Sequence, residues 1–307
     1  MHTILGAGGP IANALQQELE ASNENVRLVS RRQIVTTGDT TWQQADLMNY
    51  SETLAAAKNS NVIYLCAGLM YDHQIWRQQW PVIMQNVINV AKETQARLVF
   101  FDNVYMYGLV SGPMLETTPY NPCSRKGEVR AKIAEQLMAE AHSGNITACI
   151  ARAPDYYGAG NMNSWIDMMV FSKFAKKQSA QWIGKPETLH SFILVNDAAR
   201  AVALLGKNEE SKNQVWHLPT SPCLTGTGFI NIAAKSFDTK PRHMRINKLM
   251  LQTLGLFNKL IRETVEMYYQ YEFDYQFNSD KFKRAFNVEP TPYQKGFQDV
   301  SAAYVKN

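Results

Sequence analysis

Three glycines fall within seven residues near the start of the chain, in Gly6-Ala7-Gly8-Gly9-Pro10-Ile11-Ala12. The run follows a short apolar stretch, His2 to Leu5, and opens a stretch with Ile11, Leu15 and Leu19 on one helical face. A glycine turn placed between strand and helix lets backbone approach a phosphate, and the helix N-terminus adds free N–H groups and partial positive charge. Gly6, Gly8, Gly9, Pro10 and Ile11 are therefore candidate pyrophosphate contacts. Pro10 suits the first helical turn, where its missing N–H costs nothing. The spacing is GxxGxxA through Gly6, Gly9 and Ala12, since Ile11 stands at the sixth position of a GxGxxG. A plain glycine-rich turn is the competing reading.

The second candidate strand ends in Val29-Ser30-Arg31-Arg32. A carboxylate there would accept ribose hydroxyls and select NAD, whereas two guanidiniums can clamp a 2′-phosphate. Arg31 and Arg32 thus favour NADP, with NAD as the alternative and a solvated basic loop as the bland reading. Asp46 and Leu47 follow the third strand, where an acid can meet the adenine amine. Cys66, Ala67 and Gly68 end the fourth, where small residues let a cofactor pass close to backbone.

Those positions need a scaffold, and the first 150 residues supply an alternation of strands and helices. Strands are expected at His2–Leu5, Val26–Val29, Trp42–Asp46, Val62–Cys66, Arg97–Phe101 and Ile146–Ala151. Helices are expected at Pro10–Leu19, Ser51–Lys58, Gln74–Thr94 and Lys126–His142. Such alternation implies an α/β Rossmann fold, a doubly wound parallel sheet. After Arg152 the pattern loosens. Phe192–Val195 and Asp197–Leu205 read as one more βα unit returning to the sheet, and Val215–Leu218 as a further strand. We expect a dinucleotide-binding domain over 1–154 with 189–220 returning to it. A smaller, discontinuous C-terminal substrate lobe takes 155–188 and 221–307.

Composition is ordinary for a globular protein: 307 residues, 45% hydrophobic, 19% charged and a net charge of +4. No long basic run argues for nucleic acid. The start of the chain has no charged segment leading into an apolar one, and no apolar run reaches membrane-spanning length. The four cysteines and six histidines do not cluster at metal or disulfide spacings. The expectations are a cytoplasmic protein with a small-molecule substrate, no metal, and no nucleic-acid or membrane partner. A homodimer through the long helices of the first domain is a further expectation.

Taken together, these pieces resemble the extended short-chain dehydrogenase/reductase superfamily, the NAD-dependent epimerase/dehydratase group. The resemblance runs over nearly the whole chain. It adds Asn86-Val87, Val104-Tyr105-Met106-Tyr107-Gly108, Arg152-Ala153-Pro154-Asp155-Tyr156-Tyr157-Gly158 and Phe192-Ile193-Leu194-Val195-Asn196-Asp197. It implies Asn86 and Pro154 as further cofactor neighbours. Tyr105, Tyr107, Tyr156, Tyr157 and Asn161 are implied as substrate-side residues. His190 stands where nucleotide-sugar enzymes often carry an arginine for the diphosphate.

The family's chemistry uses a Ser or Thr and a YxxxK pair on one helix face. No tyrosine in this chain has lysine four residues on. In register, Asn103 takes the serine position, Lys126 the tyrosine position and Arg130 the lysine position. Lys126 could act as the acid; its bland reading is a solvated first-turn residue. Arg130 could bond the ribose hydroxyls but cannot act as an acid near neutral pH. Asp102 and Asn103 could orient a carbonyl. Two functions follow: an NADP(H)-dependent oxidoreductase or epimerase-like enzyme on a small or sugar-like carbonyl or hydroxyl compound, or a catalytically inactive dinucleotide-binding sensor.

Overall fold

Strand β1 (His2–Leu5) is buried along its whole length, the polar His2 and Thr3 included, as in a strand covered on both faces. The computed structural model describes residues 1–36, 38–159 and 164–306. After β1 come α1 (Pro10–Ala21), β2 (Val26–Ser30), β3 (Thr41–Gln44), α2 (Tyr50–Ala57), β4 (Val62–Leu65), α3 (His73–Thr94) and β5 (Arg97–Asp102). Then α4 (Arg125–His142) and β6 (Ala148–Arg152) complete the alternation. The helices start where the local chemistry dictates. Asp72 caps α3 by accepting the Gln74 N–H at 2.8 Å, and Asn49 caps α2 through the Glu52 N–H. Helix α1 buries Ile11, Leu15 and Leu19, the face its spacing marks out.

Next come β7 (Asp155–Tyr157), α5 (Ser172–Ala175), β8 (Ala180–Ile183), β9 (Leu189–His190), β10 (Phe192–Leu194), α6 (Val195–Lys207) and β11 (Gln214–His217). The chain closes through β12 (Leu224–Thr225), α7 (Gly226–Ser236), β13 (His243–Ile246), α8 (Lys248–Gly255) and α9 (Lys259–Thr264). Last are α10 (Tyr269–Glu272), α11 (Asp280–Phe286) and α12 (Tyr293–Lys306).

Two compact units result: residues 1–106, 125–153 and 198–218, and residues 107–124, 154–197 and 219–306. The first holds a seven-stranded sheet in the order β11-β6-β5-β4-β1-β2-β3, with every neighbouring pair parallel. The order reverses between β1 and β4, the switch point at which open α/β sheets bind ligands. The α/β doubly wound fold is therefore as the alternation predicts.

Two boundaries differ from expectation. The stretch 192–194 does not rejoin the main sheet. It pairs in parallel with β7, matching Phe192 with Asp155 and Leu194 with Tyr157. The returning strand is instead β11, whose Trp216 pairs with Ala151. The loop 107–124, expected in the first unit, clusters with the second. The second unit has its own aromatic core. Phe229 lies within 4.5 Å of Phe192 and 4.6 Å of Phe297 between ring centres, and Tyr157, Phe171 and Trp182 close around it.

Candidate active site

The glycine turn sits at the switch point. Gly6 (φ +88°) and Gly8 (φ +99°) occupy the left-handed region that side chains rarely adopt. The Gly6 and Ala7 N–H groups both donate to the Val29 carbonyl, at 3.0 and 2.9 Å, which ties the turn to β2. A Cβ on Gly6 would lie 2.3 Å from the Ala67 Cα, so this glycine permits two loops of the sheet edge to touch. Gly9 is different. It is the N-cap of α1, its φ is −84°, and a Cβ there would meet nothing within 4 Å. Internal packing therefore does not require a glycine at position 9, whereas an approaching phosphate would. Pro10 occupies the first turn, and no acidic side chain shares that turn to repel an anion.

Around the turn, Arg31 and Arg32 are exposed at the end of β2. Their backbone is pinned. Gln44 Nε2 donates to the Arg31 carbonyl at 3.2 Å, and Ser30 Oγ donates to that of Arg32 at 2.6 Å. Asp46 Oδ1 accepts the Met48 N–H, shaping the bend after β3. Leu47 is buried, and its carbonyl accepts from Asn86 Nδ2 at 2.9 Å, so Asn86 ties α3 to this loop. Beyond β4, the Cys66 N–H donates to the Leu5 carbonyl, and burial pushes the Cys66 thiol up to about 12. It is a thiol, not a thiolate, at neutral pH. Gly68 is exposed, with open space where a Cβ would stand.

The positions in register with the catalytic set lie at the ends of β5 and α4. Lys126 is fully buried, which sets aside a solvated first-turn lysine. Its Nζ stands 4.5 Å from the Tyr71 ring centre. One turn on, the Arg130 guanidinium lies 4.8 Å from the Trp76 ring and 4.2 Å from that of Trp80. Arg130 Nη1 is 3.2 Å from Asp102 Oδ1, and Arg152 Nε is 3.6 Å from Asp102 Oδ2. Arg130 is nearly and Arg152 completely buried, so Asp102 stands between two inward-facing guanidiniums. Burial pushes the Asp102 carboxyl above its ordinary range, and the two guanidiniums pull against it. Asn103 Oδ1 accepts the Tyr105 N–H at 3.0 Å. Tyr105, half-buried, stacks over Trp76 at 6.2 Å.

Sequence reasoning took Arg130 for a ribose contact. In the structure Asp102, Trp76 and Trp80 hold its guanidinium. The aromatic cage was missed, although Trp76 and Trp80 stand four apart on the long helix, the spacing that puts two rings on one face.

In the second unit the expected substrate residues divide. Tyr157 packs 5.0 Å from Phe297 in the aromatic core, and burial pushes its phenol up; it is a core residue, not a free phenol. Tyr107 is likewise buried, edge-on to Tyr120. Tyr156 is half-buried in β7 and Pro154 is buried just before it. Asn161 lies outside the described residues. His190 stands between Tyr271 and Tyr275, at 4.8 and 4.4 Å, with Nε2 3.0 Å from Asp155 Oδ2. The same Asp155 oxygen accepts the Tyr271 hydroxyl. Being 1% exposed, His190 is a part of that stack and not an open anion contact.

A family model described as the NAD dependent epimerase/dehydratase family matches residues 2–218. The chain belongs to this family. Its fold is shared by solved structures of low identity. One is a dTDP-glucose 4,6-dehydratase from Streptomyces venezuelae, crystallised with NAD. It is 14% identical with a TM-score of 0.82, covering 100% of this chain and 97% of that one. MoeE5, solved in complex with UDP-glucuronic acid and NAD, is 18% identical with a TM-score of 0.80, covering 99% of each chain. A UDP-N-acetylglucosamine 4-epimerase from Bacillus cereus is 12% identical at 0.79, covering 98% of this chain and 95% of that one. No curated protein matches the sequence. Membership of an epimerase/dehydratase family makes this an oxidoreductase-type enzyme fold. Among the described residues no helix is long and apolar enough to cross a membrane.

Proposed function

We propose that this family member is an NADP(H)-dependent oxidoreductase or epimerase-like enzyme whose substrate is a small or sugar-like carbonyl or hydroxyl compound. The observation that carries the reading is the open face at Gly9, on the N-terminus of α1 at the switch point, with Arg31 and Arg32 exposed beside it. The turn Gly6 to Ile11 would hold the pyrophosphate and Arg31 and Arg32 the 2′-phosphate. Asp46 and Leu47 would face the adenine, with Cys66 to Gly68 and Asn86 along the remainder. The solved neighbours with bound NAD support a nicotinamide dinucleotide. When bound, it supplies reversible hydride transfer. Lys126 would exchange a proton at the substrate oxygen, Asn103 would orient that oxygen, and Arg130 would fix the helix face that presents Lys126.

A second reading has its own observation. Arg130 is caged by Trp76 and Trp80 and paired with Asp102, which suits a dinucleotide-binding sensor without turnover.

One experiment separates the two. The purified chain is titrated with NADPH and NADH by calorimetry, then assayed on aldehydes, ketones and nucleotide sugars beside Lys126→Met. The enzyme reading expects turnover by the wild type, lost by about a hundredfold or more in Lys126→Met with NADPH affinity retained. Tight NADPH binding with no turnover on any substrate moves the conclusion to the sensor. Absence of binding removes both.

A further inference from the structure

Between Asp238 and Glu263 the chain carries six basic residues, Lys240, Arg242, Arg245, Lys248, Lys259 and Arg262, and no acidic one. The net charge of the whole chain is only +4, so its positive charge is concentrated in this stretch. The same stretch bears large apolar side chains in solvent. Leu249 is 71% exposed, Leu256 74% and Phe257 89%, and Leu254 and Leu260 are also exposed. Scattered single leucines on a surface are ordinary, but these five large apolar side chains exposed between residues 249 and 260 call for a partner.

The stretch is a built element. Asn247 Oδ1 caps α8 by accepting the Met250 N–H at 2.9 Å, and Asn258 Oδ1 caps α9 through the Ile261 N–H at 3.2 Å. A Cβ on Gly255 would lie 3.0 Å from the Arg262 Cα, so the two helices touch closely. Ile246 and Leu251 anchor the pair inward in a cluster with Ile183, Tyr268 and Tyr271. With the inner face so occupied, Leu256 and Phe257 lie exposed in the turn between α8 and α9, with Lys259 opening α9 and Lys248 at the far end of α8.

We propose that this helical hairpin docks on an anionic lipid surface, with Leu256 and Phe257 entering the acyl boundary and the basic residues meeting the headgroups. This goes beyond the proposed enzymatic reading and does not depend on it. Exposed apolar side chains on a stretch that carries six basic residues and no acidic one of its own, with Arg245 reaching Glu272 Oε2 at 3.6 Å, are the chemistry of interfacial binding. A stretch too short and too charged to span a bilayer can lie on one. A second copy of the chain is disfavoured as the occupant, because a two-fold contact would set this basic stretch against its own copy.

The test is flotation of the full chain with vesicles of phosphatidylcholine and phosphatidylglycerol in equal parts, and with phosphatidylcholine alone. The variants are Leu256→Ser with Phe257→Ser, and Arg242→Glu with Lys248→Glu. The wild type is expected to float with the anionic vesicles and to bind neutral ones about tenfold less or worse. Each double variant should lose about tenfold in anionic-vesicle binding while its melting temperature stays put, since these side chains are exposed. Equal binding to both vesicle types, or no flotation of the wild type, overturns the proposal. So does a Leu256→Ser, Phe257→Ser variant that floats normally but changes oligomeric state in light scattering, which would assign the patch to a protein contact.

Discussion

Two glycines three residues apart separate packing from binding. Gly6 has a positive φ and backbone pressed against the place of its missing Cβ; Gly9 has neither. Gly6→Ala is expected to destabilise the fold by more than about 1 kcal/mol, because both strain and overlap act. Gly9→Val should leave the melting temperature nearly unchanged and abolish NADPH binding. Calorimetry and thermal melts on the pair check both halves; retained affinity in Gly9→Val would take the loop out of the site. The arginine corner is tested in the same way. Replacing Arg31 and Arg32 by alanine should weaken NADPH by roughly 1.5–3 kcal/mol, the worth of a charged hydrogen bond, and NADH much less. Equal losses for the two cofactors would argue against a phosphate clamp.

At the scale of elements, Asp102 links β5 to α4 through Arg130 and to β6 through Arg152. Buried ion pairs add little net stability when whole, but removing one partner leaves uncompensated charge. Asp102→Asn would leave two buried guanidiniums without their carboxylate and should cost about 3–5 kcal/mol in chemical denaturation. A loss below about 1 kcal/mol would mean that the aromatic rings, not the carboxylate, hold Arg130. Helix α3 matters here for its length as much as its sequence. Trp76 and Trp80 stand in its N-terminal half, where they flank Arg130, while Asn86 further along fastens Leu47.

Over the whole molecule, stability should depend on pH through His2 at the head of β1. Its Nδ1 lies 3.0 Å from the Tyr64 hydroxyl and its Nε2 3.2 Å from Glu24. Burial lowers the His2 pKa, and the Glu24 carboxylate only partly offsets it. The unfolded chain therefore binds a proton more readily than the folded one. Stability should fall as pH drops below the ordinary histidine value and stop falling, for this group, once the folded value is passed. Thermal melts between pH 8 and 5 on the wild type and His2→Gln check this, with the wild type expected to lose more. Parallel curves would show that His2 does not contribute.

The sequence by itself determined the alternation of strands and helices that builds the parallel sheet. Strictly apolar strands such as Val62–Leu65, a helical face through Ile11, Leu15 and Leu19, and a glycine turn between them are local patterns, and local patterns suffice for a parallel sheet built of repeated crossovers. The places of Asn103 just past β5 and of Lys126 and Arg130 in the first turns of α4 were legible for the same reason, since they count from strand and helix ends. What these side chains do was not legible. That Lys126 is buried over Tyr71, that Arg130 slots between Trp76 and Trp80, and that His190 stacks between Tyr271 and Tyr275 depend on residues distant in sequence. The pairing of Phe192–Leu194 with Asp155–Tyr157 is of the same kind, because an apolar triplet reads alike whichever sheet it joins. Exposure of Leu256 and Phe257 was equally hidden, because an amphipathic pattern does not say which of two apolar faces the rest of the chain will cover.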